Sequence, residues 1–284
     1  FTKPGEGVIV QSPVYYPFYS AITDAGRVVA NNGLIFEDGA YTMDLDGLEA
    51  LAGKPENTMM ILCSPHNPVG RVWNPAELKS VAEICAGNGV LLISDEIHCD
   101  LTRKAHSVIT TLDPSYKDNT IVCLSTAKTF NMAGFTAANI VIENDGLRKR
   151  FQKRRDTEAS GGMTFFARIA TIAAYTHCDY WVDGVNTYID GNFNILKGFA
   201  DRHKGLGLRL IEMEGTYLAW LDMSGLGLTD EGLENFMNEK ALMSIDPGHW
   251  FGAGGSGFIR INIAAPRAAL EEALDRFDAA LYNL

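Results

Sequence analysis

The sequence predicts an α/β fold: a mostly parallel sheet with helices on both faces, followed by a smaller C-terminal α+β domain. Two observations carry this. Three apolar runs, at 58–63, 90–93 and 121–124, each stop abruptly at polar residues, as buried strands do. The polar residues just beyond them, Asn67, Asp95 and Lys128, lie 28 and 33 residues apart, a spacing that suits βα units feeding one parallel sheet. The expected division is a large domain over 1–182 and a small one over 183–284.

The elements follow in order. A turn at Lys3-Pro4-Gly5 leads into a strand over 7–11, which Ser12-Pro13 ends. Residues 17–25 read as a short helix closed by Gly26, 27–30 as a strand, and 31–43 as loop with one short extended piece. A helix over 44–51 carries its acidic residues early, where the helix dipole favours them. Asn74-Pro75-Ala76-Glu77 opens the next helix: Asn caps, Pro fits the first turn, and Glu falls three residues after the cap. Leu78, Val81, Ala82 and Cys85 mark its buried face, and Gly87-Asn88-Gly89 stops it.

A further strand is expected within 136–142, then a basic helix over 147–155. Its cluster of arginines and lysines reads as a solvated face rather than an anion site. Residues 165–175 and 180–202 are helical, the second carrying the chain between domains. A strand over 217–223, a helix over 230–240 and a strand over 257–264 follow. The closing helix over 268–281 has Leu270, Leu274, Phe277 and Leu281 on one face. Residues 252–257 fit G-x-G-x-x-G, but they open a strand and not a helix. That excludes a dinucleotide fingerprint and leaves a flexible loop.

Hydrophobic residues make up 46% of the chain and charged residues 21%, as in an ordinary globular protein. The net charge of −11 argues against nucleic acid or an anionic membrane as partner. No apolar run approaches the length of a membrane span, and no signal peptide is visible. The five cysteines (63, 85, 99, 123 and 178) form no CxxC pair and sit mostly in apolar runs. They read as free thiols in a reducing compartment, so a cytoplasmic location is expected.

Lys128 lies just past the C-terminal end of a buried strand, where open α/β sheets bind ligands. A lysine opening a surface loop would look the same. Asn67 sits between Pro65 and Pro68, which restrict its backbone on both sides. Asp95 ends a buried run and must either cap a backbone group or pair with a buried cation. Arg260 interrupts the apolar strand Phe258-Ile259-Arg260-Ile261-Asn262-Ile263 and needs a partner there.

At this point SPHNPVG (64–70), SDEIH (94–98) and STAKTFN (125–131) resemble three motifs of the pyridoxal-phosphate enzymes of the aspartate-aminotransferase fold. The likeness is closer to the MalY/PatB-type C–S β-lyases, the cystathionine β-lyase group of the class I/II aminotransferase family. KPGEGVIVQSPVYYPF near the start, and EGTYLAWLD and GFIRINIAAPR near the end, extend it over essentially all 284 residues.

The resemblance implies a role for each candidate. Lys128 would bond to the aldehyde of pyridoxal 5'-phosphate and later remove the substrate α-proton. Asp95 would pair with the pyridine N–H, and Asn67 would donate to the ring's phenolic oxygen. Tyr15 would stack on the ring, although an aromatic there also suits a core. Ser125 would hold the phosphate, with Thr126 as helper. His98 stands where aminotransferase relatives often carry tyrosine, which matches the lyase pattern; a hydrogen-bonded loop histidine would look the same. Arg260 would grip the substrate α-carboxylate with its two-pronged fork.

The implied reaction is β-elimination of a thiol from cystathionine or cysteine-type amino acids, giving pyruvate and ammonia. An aminotransferase shares the same residues, and an inactive or regulatory cofactor-binding protein is the third reading. The family also implies a homodimer. It further implies residues before Phe1: an arm, a glycine-containing phosphate loop and groups reaching into a neighbouring subunit. The sequence is therefore expected to be a fragment or a truncated product.

Overall fold

The structure, a computed structural model, describes residues 1–158 and 161–284. In chain order its first strands are β1 (Gly7–Val10), β2 (Val28–Asn31), β3 (Ile35–Glu37), β4 (Ala40–Thr42), β5 (Asn57–Cys63), β6 (Leu91–Asp95), β7 (Thr120–Leu124) and β8 (Asn139–Val141). The helices among them are α1 (Pro17–Asp24), α2 (Leu45–Ala52), α3 (Pro75–Gly87), α4 (Ile109–Leu112), α5 (Thr126–Thr129) and α6 (Asp145–Thr157). Six strands form one sheet in the order β2-β1-β5-β6-β7-β8. Every neighbouring pair is parallel except β7 with β8, so the expected mostly parallel sheet is what forms.

Helices cover both faces of this sheet. On one face, α2 and α3 pack Leu48, Leu78, Val81 and Cys85 against Ile9, Met60, Leu62 and Leu92 of the strands. On the other, Ile22 of α1 meets Val8 and Val10, and Leu147 and Phe151 of α6 pack on Leu91, Ile121 and Ile142. The cap foreseen for α3 is present. Asn74 Oδ1 accepts from the Ala76 and Glu77 amides at 2.9 and 3.0 Å, and Glu77 Oε2 accepts from the Asn74 amide at 2.8 Å. The basic cluster of α6 lies on an exposed face with no buried residue, partly paired to its own acids Asp145, Asp156 and Glu158.

The stretch expected as loop with one extended piece is a hairpin, β3 paired antiparallel with β4. Its turn is Asp38-Gly39, with φ of +52° and +84°. Two successive positive φ values make the tight turn whose twist matches a hairpin, and Asp-Gly is a sequence that favours it. Phe36 stacks on Tyr41 across the pair at 4.5 Å between ring centres.

The chain continues through α7 (Phe165–His177) and the long α8 (Asp179–Arg202) into a second sheet. Its strands are β9 (Arg209–Leu210), β10 (Leu218–Asp222), β11 (Asp246–Pro247) and β12 (Phe258–Asn262), antiparallel in the order β11-β12-β10-β9. The helix expected over 230–240 is α9 (Asp230–Asn235) followed by a π-helical turn, Phe236–Lys240. That turn buries Phe236 and Met237 in the core beneath α10 (Arg267–Leu281). Leu270, Leu274, Phe277 and Leu281 of α10 are buried against Phe199 of α8 and Ile259, Ile261 of β12. The glycine-rich stretch before β12 is closely packed and not a free loop. A Cβ on Gly248 would collide with the carbonyl oxygens of Gly255 and Phe258.

Candidate active site

Strand register sets the site. Cys63, Asp95 and Cys123 are aligned across β5, β6 and β7. Three neighbouring parallel strands therefore release the chain at one level, and the next few residues of each share one cleft. That cleft, of about 390 Å³, is lined by Tyr15, Asn67, Asp95, His98, Lys128 and Arg260. Six of the seven residues singled out in the sequence thus face one cavity.

Ser125 is the exception. Its Oγ donates to the Ala137 carbonyl at 2.6 Å and accepts from the Ala127 amide at 3.0 Å, and it is buried. A hydroxyl has one hydrogen to donate, and here it is spent inside the turn. Ser125 is the N-cap of α5, the single turn that presents Lys128. Thr129, next along that turn, donates from Oγ1 to Asp100 Oδ2 at 2.8 Å. From α8, Trp181 Nε1 donates to the Thr129 carbonyl at 2.8 Å and Asn186 Nδ2 to the Asp100 carbonyl at 2.9 Å. The lysine thus stands on a short helix tied at both ends, while its amine makes no ion pair among the described residues.

Asp95 faces the cleft with one internal partner, the Ile97 amide at 3.2 Å on Oδ1. Burial pushes its carboxyl up from the usual 3.8 to about 6. The Ile97 bond and the charge of Lys128 offset part of that, and Glu96 adds to it. An acid raised by loss of solvent is one that gains from a cation. No basic side chain forms an ion pair with it among the described residues.

His98 is buried, and burial, then the charges of Lys128 and Arg260, push it down to about 3. It is neutral at ordinary pH. Its ring meets Tyr217 edge-on at 5.5 Å, and its Nδ1 is enclosed without a partner among the described residues. Asn67, also buried, accepts from Arg260 Nη1 through Oδ1 at 2.8 Å. This bond fixes the amide orientation and turns Nδ2, a donor, toward other partners. Burial pushes the Tyr15 hydroxyl and the neighbouring Cys63 thiol up, so both stay protonated.

Arg260 lies in the middle of β12, paired across β11 with Asp246 and across β10 with Trp220. Its Nη2 donates to Asp246 Oδ2 at 2.7 Å, and its guanidinium carbon lies 4.7 Å from the Phe251 ring centre. The partner that a buried guanidinium requires is Asp246. Sequence reasoning missed Asp246, together with Tyr217 and Asn262, which also line the cleft. Asp246 stands 14 residues before Arg260 across the glycine-rich stretch, and a strand of two residues gives no periodic signal.

The fold and this cleft define a class. Residues 1–277 match the aminotransferase class I and II family, and the chain belongs to it. Among curated proteins it is similar to cystathionine β-lyase PatB of Bacillus subtilis, with 38% identity over 99% of this chain and 73% of that protein. It is also similar to protein MalY of Escherichia coli, with 35% identity over 96% and 70%. Among solved structures, cystalysin from Treponema denticola, which contains a pyridoxal 5'-phosphate cofactor, superposes with a TM-score of 0.97. Its identity is 41%, over 100% of this chain and 72% of that one. A PLP-bound C–S lyase from Staphylococcus hominis superposes with a TM-score of 0.90 at 34% identity, over 99% and 69%.

Proposed function

We propose that this protein is a pyridoxal-phosphate-dependent C–S β-lyase, eliminating a thiol from cystathionine or cysteine-type amino acids to give pyruvate and ammonia. The observation that carries the reading is the convergence of Lys128, Asp95, Asn67 and Arg260 on one cleft. The donor set fits the cofactor. Asp95 is a buried carboxylate with no ion-pair partner among the described residues, as a protonated pyridine nitrogen requires. Asn67 has its Oδ1 held by Arg260 and its Nδ2 left to meet an acceptor such as the ring's phenolic oxygen. Lys128 is presented by a braced turn and has no counter-ion among the described residues.

When bound, pyridoxal phosphate supplies an electron sink for the substrate's α-carbon. The chain's own groups do the rest. Lys128 Nζ would hold the cofactor aldehyde and would take the proton from the substrate Cα. Asp95 would keep the ring nitrogen protonated by offering it a fixed negative charge. Arg260 orients the substrate by its α-carboxylate, which aims the Cα–H at the lysine. Tyr15 would flank the ring, and neutral His98 packs beside Tyr217 without adding a third positive charge. Ser125 serves the turn that carries Lys128; to hold the phosphate it must give up the Ala137 bond.

The same reading includes a homodimer, a cytoplasmic location, and division of the chain into a cofactor-binding domain over 1–182 and a small domain over 183–284. Support for the dimer comes from α7, where Phe165, Phe166, Ile169 and Ile172 are exposed on one helix. Such a patch is more apolar surface than a monomer usually leaves in water. Among the described residues no helix is long and apolar enough to cross a membrane. A coupled pyruvate assay on cystathionine tests the reaction. Pyruvate and free thiol should appear without any added 2-oxo acid; dependence on a 2-oxo acid would make the protein an aminotransferase.

A further inference from the structure

The guanidinium of Arg260 is largely engaged before any ligand arrives. Nε and Nη2 both donate to Asp246 Oδ2, at 3.1 and 2.7 Å, and Nη1 donates to Asn67 Oδ1 at 2.8 Å. An arginine has five N–H donors, so one hydrogen remains on each of Nη1 and Nη2. That pair is what a two-oxygen carboxylate takes. Asp246 is therefore no rival for the same hydrogens, and it stays in place when a carboxylate binds.

Its position is rigidly set. Asp246 is the cross-strand neighbour of Arg260, Pro247 follows it, and Gly248 behind it is packed so tightly that no Cβ fits. Its side chain is 30% exposed, open on the cleft side. The charged groups lining the cleft are two cations, Lys128 and Arg260, and two carboxylates, Asp95 and Asp246. With Lys128 bonded to cofactor, Asp95 on the ring nitrogen and Arg260 on the α-carboxylate, every cation is used. Asp246 then remains as a negative charge beside the bound substrate.

We propose that Asp246 is a specificity-determining residue that excludes amino acids whose side chain carries a net negative charge, restricting the cleft to neutral and zwitterionic side chains such as those of cysteine thioethers and cystathionine. This rests on the lyase reading of the same cleft and adds to it a charge rule for the substrate. The side chain of an amino acid begins two bonds from the carboxylate that Arg260 holds. A β- or γ-carboxylate therefore lies within roughly a Debye length of Asp246. It meets a like charge and finds no lining cation among the described residues, a costly arrangement in a partly desolvated site.

The test is calorimetric binding of L-alanine and L-aspartate to cofactor-loaded enzyme, in the wild type, Asp246→Asn and Asp246→Glu. Both ligands carry the same α-carboxylate, so any general weakening of Arg260 or loss of folded protein cancels in their ratio. The wild type should prefer alanine, and raising the ionic strength should reduce that preference. Asp246→Asn should shift the ratio toward aspartate by about tenfold, and Asp246→Glu should restore the wild-type ratio. A wild type that binds aspartate as well as alanine overturns the inference without recourse to any variant, as does an unchanged ratio in Asp246→Asn. Either result leaves the lyase reading to the pyruvate assay, whereas a wild type that binds no amino acid overturns both.

Discussion

Asp95→Asn separates stability from activity. The carboxyl is raised from 3.8 to about 6 in the folded chain, chiefly by loss of solvent. Roughly two pKa units at 1.36 kcal/mol each is at most about 3 kcal/mol, less whatever water in the cleft restores. A raised acid is a penalty on the folded state. The penalty is full above about pH 6, where both states are ionised, and it vanishes as pH falls below 3.8, where both are protonated. Asparagine carries no such penalty. Cofactor-free Asp95→Asn should therefore be more stable than the cofactor-free wild type by up to about 3 kcal/mol at pH 8, with the gap closing between pH 6 and pH 4. The difference between the two proteins is the quantity to measure, by urea melts across pH. His98 and His66, pushed down to about 3 and about 4, contribute with the opposite sign in an overlapping window. They are lowered bases, so stability is lost as pH drops below their usual 6.5 and the unfolded chain alone takes up protons. Both histidines are common to the two proteins and cancel. Turnover of the loaded enzyme should move the other way, falling at least about a hundredfold as the fixed charge at the ring nitrogen is lost. A gap that stays level across pH, or a variant less stable at pH 8, would refute the claim that Asp95 is held short of a cation.

Other outcomes follow from the same cleft. Lys128→Ala should abolish both turnover and the visible absorption of lysine-bound cofactor, and full turnover in that variant would rule out its covalent role. Arg260→Lys keeps a charge but loses the fork over Asp246 and Asn67. It should lower kcat/KM by roughly 30- to 1000-fold, about 2–4 kcal/mol, for every amino-acid substrate alike. A change in side-chain preference with amino-acid binding intact would put Arg260 at the wrong end of the substrate. Sedimentation of the loaded enzyme under assay conditions should show a dimer, and a monomer at full activity would refute that assembly.

The sheet was legible because its signals are local. Apolar runs of four to six residues, punctuated by Asn74-Pro75 and Gly87-Asn88-Gly89, mark βα units wherever they fall. Parallel strands must then release their loops on one side, so the sequence alone assigns Asn67, Asp95 and Lys128 to a common edge. The hairpin over 35–42 was half legible: Asp38-Gly39 is its turn signal, but strands of three residues carry almost no alternation. Ser125 shows a different limit. A serine three residues before a lysine can hold a ligand or cap the turn, and the carbonyl that Ser125 bonds here, that of Ala137, lies 12 residues further on.

Asp246 marks the furthest limit, because its meaning is wholly a matter of register. In the sequence it is an acid before Pro247-Gly248, with nothing to connect it to an arginine 14 residues later. The pairing of β11 with β12 places it directly across from Arg260, and a slip of one residue would put Pro247 there and turn the carboxylate to the other face. Gly248 and Gly255 resist that slip, since their backbones touch where any side chain would intrude. Gly248 and Gly255, on either side of the start of the stretch that imitates a dinucleotide motif, thus have a physical task of another kind. They let the loop fold back closely enough to set one carboxylate against one guanidinium, and so determine how much of the arginine's charge is left for a substrate.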